Sequence, residues 1–456
     1  MLEQVQSLLP RKLTDLLQRV MNSSIGRRLV RGTFWATVGA LCSKAIAVVS
    51  AVIVARLLGK AGFGELGVVQ STILLFQSFA GLALGITVTK CVAQFRVQEP
   101  ARAGRIVALS SSVAFIMGLV FAVVMFFSAG FLAEVTLAAP QLTLTLQISA
   151  ITLLLGSING AQIGTLSGLE AFQTLGKATA WSGLFTFLCL VIGVWGYGLT
   201  GGVIGLCVGM LASIIQANFA VRGELRRAGI TVSFRECPRE WRVLYRFSLP
   251  AMFTGIMVMP VNWTCNAILV NHPGGIEEMG LYNAANQWFT VIIFLPGMVG
   301  QVILPILAER ISNNDARRIR KLMLICMAMN VAMCVPLAAL LCLASGPIMG
   351  LYGAGFAQGW LALVLVVVTG CLIAIQMPVS ALIVACDRMW IGFLSNVAWA
   401  LVFIPLTWAW VDLGAVGLAG ARMVAYAAHL VWTLVVGFRL SKRNMEPVAA
   451  VGFTQA

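Results

Sequence analysis

Apolar residues occur along the chain in about twelve long runs, and most polar and charged residues fall between them. A helix that crosses a bilayer needs about 20 consecutive, mostly apolar residues. The pattern therefore predicts an all-α membrane protein with about twelve transmembrane helices. The predicted spans are residues 33–55, 66–88, 106–128, 142–166, 175–196, 199–220, 247–270, 282–305, 321–344, 358–385, 390–410 and 414–437.

The second half of the pattern repeats the first. A shift of about 216 residues aligns GELGVVQ, which starts at Gly64, with GLYNAAN, which starts at Gly280. The same shift aligns Gly198 with Gly414. Six spans per repeat is an even number, so both halves have the same orientation and are related by an axis along the membrane normal. We expect two six-helix lobes around a central cavity.

The repeat and the loops between spans predict five segments. An amphipathic segment on the membrane surface is expected at residues 1–32, where leucines recur at helical spacing among basic residues. The first lobe covers 33–220 and the second 247–437, with a basic linker at 221–246 between them. A tail follows at 438–456.

Basic residues place the loops on opposite sides of the membrane. The chain has 31 Lys and Arg against 16 Asp and Glu, for a net charge of +15. All but Lys44, Arg56, Lys60 and Arg422 lie before the first span, in even-numbered loops or at the span ends that border them, or after the last span. Positively charged loops stay in the cytoplasm, so both termini are predicted there. Charge spread in this way favours contact with anionic lipids over binding of nucleic acid.

Two cations are predicted inside the membrane. Lys44 is near the middle of the first span, and Arg422 is about two turns into the last. A centred cation costs at least roughly 2.5–3.5 kcal/mol, so each needs a wet cavity or a partner. For Arg422 an alternative is that its head reaches the membrane surface or backbone carbonyls. The spans hold no mid-span Asp or Glu. An anionic cargo such as a phosphate or diphosphate is therefore favoured.

Amide side chains cluster in the second span of the first half and in the first two spans of the second half. Asn262 and Asn266 are four residues apart and share a helix face. One interpretation is that the amides line a cavity, and the other is that they join helices by hydrogen bonds. The full candidate set is Gln70, Gln77, Asn262, Asn266, Asn283, Asn286 and Gln287.

Other chemistry is sparse in the sequence. Eleven cysteines are scattered without a CxxC pair, and the two histidines, His272 and His429, are far apart. We therefore expect no metal site, no cofactor and no disulfide framework. A membrane enzyme is disfavoured because the outer loops are short and no cluster of catalytic His, Asp or Glu is evident.

Two motifs carry a family resemblance. The run ARLLGKAGFGELGVVQS from Ala55 to Ser71, and SGLEAFQTLGKA from Ser167, resemble polysaccharide flippases. These are the Wzx-type branch of the multidrug, oligosaccharidyl-lipid and polysaccharide exporter superfamily. The resemblance implies two six-helix lobes around a V-shaped cavity. It also implies translocation of undecaprenyl-diphosphate-linked oligosaccharide from the cytoplasmic to the periplasmic leaflet of the bacterial inner membrane, by alternating access.

The resemblance also implies binding residues and partners. By position, Lys44, Arg56 and Lys60 look like the cationic residues that engage the diphosphate and sugars in relatives. The product would be a surface polysaccharide such as the O-antigen of lipopolysaccharide. Expected partners are the lipid-linked oligosaccharide, membrane lipids, a polysaccharide polymerase and assembly proteins. Two other functions stay open: a cation-coupled drug or metabolite antiporter of the same fold, and a non-transporting scaffold of a polysaccharide assembly complex.

Overall fold

A computed structural model describes residues 24–248, 256–300, 303, 307, 316–386 and 388–442. Most of the predicted amphipathic segment, and residues 443–456 of the predicted tail, lie outside the described residues. The described backbone is overwhelmingly helical. Its α-helices are α1 Ser24–Ala80, α2 Leu84–Phe95, α3 Pro100–Phe131, α4 Thr143–Ser149, α5 Ile151–Gly168, α6 Phe172–Arg227, α7 Val258–Val270, α8 Gly275–Ile292, α9 Ala316–Leu343, α10 Ser345–Leu351, α11 Trp360–Ala385, α12 Met389–Ala409 and α13 Gly414–Lys442.

Helices α1 and α6 each contain two membrane spans. They have 57 and 56 residues, or about 85 Å at 1.5 Å per residue, far more than a bilayer core of about 30 Å. Each is interrupted by a glycine with positive φ, Gly59 at 70° and Gly198 at 58°. In α6 the chain folds back there, because Gly193 approaches the backbone of Gly201.

Eight helices in the described part of the chain are long and apolar enough to cross a membrane. The interruptions in α1 and α6 divide each of them into two membrane spans, which raises the number of membrane crossings. The shorter apolar helices α2 and α7 contribute to further spans. The predicted all-α membrane fold with about twelve transmembrane helices is confirmed. Helix α6 continues to Arg227, so the connection after it begins later than the predicted linker boundary at residue 221.

The two halves meet at a pair of equivalent glycines. A Cβ on Gly64 would collide with the carbonyl oxygen of Ile276, and one on Gly280 would collide with that of Lys60. The repeat that aligns Gly64 with Gly280 also aligns Lys60 with Ile276, so the two contacts are the same contact made twice. Such reciprocity is the mark of a two-fold axis. Only glycine permits so close a backbone approach.

The halves share a core at one end of the bundle only. We call this the far end; it contains Gly59, Gly198 and the turns at residues 132–142, 270–275, 344–359 and 410–413. The opposite end, which contains residues 228–248, is the linker end. The largest buried cluster joins both halves and includes Val54, Phe63, Cys265, Leu281 and Phe356.

Toward the linker end each half has its own core. Val88, Val107 and Leu225 belong to a cluster formed by the first half, whereas Met323 and Leu382 belong to one formed by the second. No buried apolar cluster among the described residues joins the two halves there. Among the described residues, the halves therefore share a buried apolar core at the far end but none toward the linker end, where the hydroxyls of Thr87 and Ser248 lie 2.8 Å apart.

The connection between the halves is fastened to the first of them. Glu240 is buried and accepts hydrogen bonds from Arg102 and Arg105 of α3, with Nε of Arg102 at 3.2 Å and Nη2 of Arg105 at 3.0 Å. Cys237 packs in a small cluster with Ala108 and Leu109 of the same helix. These contacts hold residues 237–240 against α3.

We expect Glu240→Gln to lower the thermal unfolding temperature of the detergent-solubilised protein. The variant keeps the shape of the side chain but loses the charge that two arginines share, a loss of about 1.5–3 kcal/mol for hydrogen bonds to charged groups. Glu236→Gln is the matched control. Its carboxylate is 46% exposed, and exposed pairs contribute about 0–1 kcal/mol. Equal melting of the two variants would contradict the role of Glu240.

Candidate functional site

A cavity of about 400 Å³ lies against the first half, between the two segments of α1 and helix α6. Its size falls within the usual range for ligand pockets, roughly 300–1,000 Å³. The second half contributes Gln287 of α8. The walls are apolar, with Phe63 and Phe187 among them, and every polar side chain in the lining is uncharged. These polar side chains are Ser43, Ser50, Gln70, Thr179, Ser182, Thr186 and Gln287.

Ser50 is the lining residue with an unused hydrogen-bonding group. It is 6% exposed, and its hydroxyl has no hydrogen-bond partner among the described residues. A buried hydroxyl without a partner costs about 1–3 kcal/mol. A ligand hydroxyl bound in the cavity would supply the missing partner.

Lys44 lies on the first segment of α1, on the linker-end side of the core that the two halves share. It shares one face of α1 with Ala51 and Ala55, seven and eleven residues further on. Both alanines are buried in the shared core, whereas Lys44 is exposed. It follows Ser43, which lines the cavity. It makes no ion pair with a described residue. Among the described residues its ammonium is an unpaired positive charge, one residue along the helix from the lining of an uncharged polar cavity.

Arg56 and Lys60 lie at the far end, on either side of Gly59. Nε of Arg56 donates a 2.6 Å hydrogen bond to the carbonyl oxygen of Leu351, and Nζ of Lys60 is 3.1 Å from Oε2 of Glu277. Both contacts join the first half to the second. Neither residue lines the 400 Å³ cavity in this conformation. Their visible role is to hold the far end closed.

Aromatic rings complete the closure of the far end. The ring of Phe63 lies 6.3 Å from that of Tyr352 and 6.1 Å from that of Phe356, measured between centroids. Burial raises the pKa of the Tyr352 phenol, so the hydroxyl stays neutral in this cluster. Together with the glycine contact, the cluster seals the far end with apolar groups.

Arg422 is buried inside the second half, at 7% exposure. One Nη1 nitrogen donates to the hydroxyl of Tyr282 at 2.9 Å and to Oδ1 of Asn286 at 2.8 Å. The guanidinium carbon lies 4.3 Å from the centre of the Phe289 ring, within cation–π range. The dipoles of the Tyr282 hydroxyl and the Asn286 amide, together with the face of the Phe289 ring, therefore stabilise the charge of the guanidinium. It does not line the cavity in this conformation.

The amide candidates divide between the two interpretations. Gln70 and Gln287 line the cavity. The other amides make structural contacts: Gln77 with Ser157 Oγ at 3.1 Å, Asn262 with the Val258 carbonyl oxygen in its own helix, Asn283 with the Phe63 carbonyl oxygen, and Asn286 with Arg422. Asn266 is half-buried in α7.

The hydroxyl residues of the cavity were not among the residues predicted from the sequence. Ser43 and Ser50 are seven residues apart on α1, and Thr179, Ser182 and Thr186 follow a spacing of three and four on α6. Each spacing places its hydroxyls on one helix face. That periodicity was the available signal. Serine and threonine are common in membrane helices as contacts between helices, so the signal has little specificity.

These observations define a membrane protein with two helical lobes and a polar cavity lined mainly by the first lobe. A family model described as "Polysaccharide biosynthesis protein" matches residues 29–311. The chain belongs to that family.

Curated relatives share part of the chain. The EPS I polysaccharide export inner membrane protein EpsE of Ralstonia nicotianae is 24% identical over 217 residues, which are 47% of this chain and 48% of that protein. The protein of the same name from Ralstonia solanacearum is 23% identical over 251 residues, 54% of each chain. The chain thus spans about half the length of the curated relatives it matches.

Solved structures show the fold. An inward-facing multidrug resistance MATE family transporter of the MOP superfamily superposes with a TM-score of 0.73 at 14% identity, covering 88% of this chain and 96% of that one. The lipid II flippase MurJ in an inward closed conformation gives a TM-score of 0.65 at 13% identity, covering 89% of each chain. At this identity the likeness establishes the architecture alone.

Proposed function

We propose that this protein is a flippase that moves undecaprenyl-diphosphate-linked oligosaccharide from the cytoplasmic to the periplasmic leaflet of the bacterial inner membrane. Its product would enter the synthesis of a surface polysaccharide. Membership of the polysaccharide biosynthesis family supports this proposal. So do the relatives named as polysaccharide export proteins of the inner membrane.

The observation that carries the proposal is the pairing of an uncharged polar cavity with the unpaired cation Lys44. Sugars present many hydroxyl groups, which hydrogen-bond to serine, threonine and amide side chains and pack their apolar faces on aromatic rings. The cavity offers all of these groups. A diphosphate needs positive charge, which Lys44 supplies beside the cavity. The lipid tail would stay in the bilayer throughout.

The conformation fits one state of an alternating-access cycle. The far end is closed by the glycine contact, and the described residues of the two halves share no buried apolar cluster toward the linker end. The basic loops support a cytoplasmic position for the linker end. Substrate would therefore load from the cytoplasmic leaflet in this state. Its release would require the far end to open, which breaks the contacts of Gly64, Gly280, Lys60 and Arg56.

The test reconstitutes the purified protein in liposomes that contain lipid-linked oligosaccharide extracted from a strain deleted for its gene. Movement between leaflets is measured by the fraction of sugar that a membrane-impermeant periodate reagent oxidises over time. We expect the protein to make the inner-leaflet pool accessible, whereas empty liposomes and a Lys44→Ala variant leave it protected. Protection in the presence of the wild-type protein would overturn the proposal. Transport of a cationic dye without movement of the sugar would instead identify a drug antiporter. Absence of any transport would identify a scaffold.

A further inference from the structure

A second polar pocket lies within the second half, apart from the central cavity. Its volume is about 230 Å³, and it is bounded by α11, α12 and α13 near the linker end. Ser380 on its rim is exposed, so the pocket reaches the surface of the bundle. The polar side chains in its lining are Ser380, Ser395, Asn396, His429 and Thr433.

His429 is the titratable group of this pocket. Its Nδ1 lies 2.8 Å from Oε1 of Gln376 and 3.4 Å from Oγ1 of Thr433. An amide oxygen only accepts hydrogen bonds, so Nδ1 carries the hydrogen and Nε2 holds the lone pair. Nε2 has no hydrogen-bond partner among the described residues. The ring is therefore oriented by one nitrogen while the other can accept a proton.

The surroundings of His429 contain no negative charge in the described part of the chain. Helix α11 presents Gln376 and Ser380, and α12 presents Ser395 and Asn396. On its own helix the ring of Tyr426 lies 6.1 Å away between centroids, and Arg422 is about two turns back. The charged groups of α9 are at the linker end, where Arg320 lies over Phe438.

His429 differs from the other histidine of the chain. His272 lies outside the membrane-spanning helices, in the turn after α7, where its Nε2 is 2.9 Å from Oδ1 of Asp412. His429 is in the middle of α13, a helix long and apolar enough to cross a membrane. Histidine is the side chain whose charge ordinarily changes between about pH 5 and 8. The described membrane-crossing helices therefore hold one such group, and it borders a polar pocket that opens to the surface.

We propose that His429 is a proton-binding site that makes transport depend on pH. Nε2 takes a proton from water in the pocket, while the Nδ1–H bond to Gln376 is kept. The imidazolium then adds a positive charge to α13 about two turns from Arg422. Loss of the proton to water restores the neutral ring. The proposal concerns proton binding by the second half, and it holds whichever cargo the central cavity carries.

Nuclear magnetic resonance of histidine side chains tests the proposal directly. The chain has two histidines, so a His272→Gln variant labelled with ¹⁵N in its imidazole and placed in lipid nanodiscs reports on His429 alone. We expect the neutral Nδ1–H form at alkaline pH and the doubly protonated ring at acidic pH, within about pH 5–8. A ring that keeps one form throughout that range would overturn the proposal. The single signal must be absent from the variant that also carries His429→Gln.

A transport measurement tests whether proton binding by His429 affects transport. Lipid movement in proteoliposomes is followed at matched internal and external pH values across the same range. We expect the pH dependence to persist in His272→Gln and to disappear in His429→Gln. Equal pH dependence in both variants would overturn the link between His429 and transport. If His429→Gln fails to fold, the resonance titration on His272→Gln still decides whether the site binds a proton.

Discussion

Replacing Lys44 with alanine is expected to abolish surface polysaccharide in a strain whose own copy of the gene is deleted, while the variant accumulates in the membrane at wild-type level. Lys44 is exposed beside the cavity and makes no ion pair with a described residue. The fold therefore loses little when it is removed. The substrate diphosphate would lose its one cation at this site. Truncating one member of a hydrogen-bonded charge pair costs roughly 2–5 kcal/mol, or about 30- to 4,000-fold in binding.

Two further variants test whether the positive charge of Lys44, and its position on α1, are what transport requires. Lys44→Arg keeps the positive charge and is expected to retain more activity than Lys44→Ala. Lys177→Ala is the matched control, because Lys177 is exposed on α6 but faces away from the side that Thr179, Ser182 and Thr186 present to the cavity. We expect wild-type polysaccharide from Lys177→Ala. Wild-type polysaccharide from Lys44→Ala would remove Lys44 from the mechanism.

Replacing Gly64 with alanine is expected to open the far end. The added methyl group would collide with the backbone of Ile276, which cannot turn aside as a flexible side chain can. Overpacking at such a contact costs about 1–3 kcal/mol, and that cost falls only on the closed arrangement. The ratio of closed to open molecules should then fall by roughly 5- to 150-fold. Gly280→Ala should act in the same direction, because its methyl group would meet the backbone of Lys60.

The measurement is a distance distribution between spin labels on residues 134 and 412, one in each half at the far end. Glu134 and Asp412 are both exposed, and the labels can be attached to unnatural amino acids because the chain contains eleven cysteines. Gly223→Ala serves as control, since a Cβ there meets nothing within 4 Å. We expect longer distances for Gly64→Ala and unchanged distances for Gly223→Ala. An unchanged distribution in Gly64→Ala would show that the contact does not set closure.

Much of the fold was predictable because a membrane helix has a strong local signal. The length of each apolar run gave the spans, and the offset between Gly64 and Gly280 gave the repeat. The structure adds that each of these two glycines contacts the backbone of the other half, at the axis that relates the two halves. No sequence pattern states which repeated positions face each other, since contact depends on how the lobes associate.

The candidate site was less predictable, because the hydrogen-bond and ion-pair partners of its side chains come from distant parts of the chain. Arg422 finds its acceptors on α8, about 140 residues earlier, and this distant pairing explains how a charge without a carboxylate is tolerated there. Lys60 finds Glu277 in the same way. Lys44, Gln70 and Gln287 were predicted as substrate ligands; Gln70 and Gln287 line the cavity, and Lys44 follows the lining residue Ser43 in the chain. Their roles stay predictions.

The reciprocal glycine contact has an evolutionary consequence. Two separate copies of a six-helix chain, inserted with the same orientation, could form this contact with one glycine from each subunit. In such a homodimer, any substitution at the glycine would be present on both sides of the axis. Fusion of the two copies into one polypeptide lets each position vary alone, as the pairing of Lys60 with Glu277 illustrates: the residue equivalent to Lys60 in the second half is Ile276.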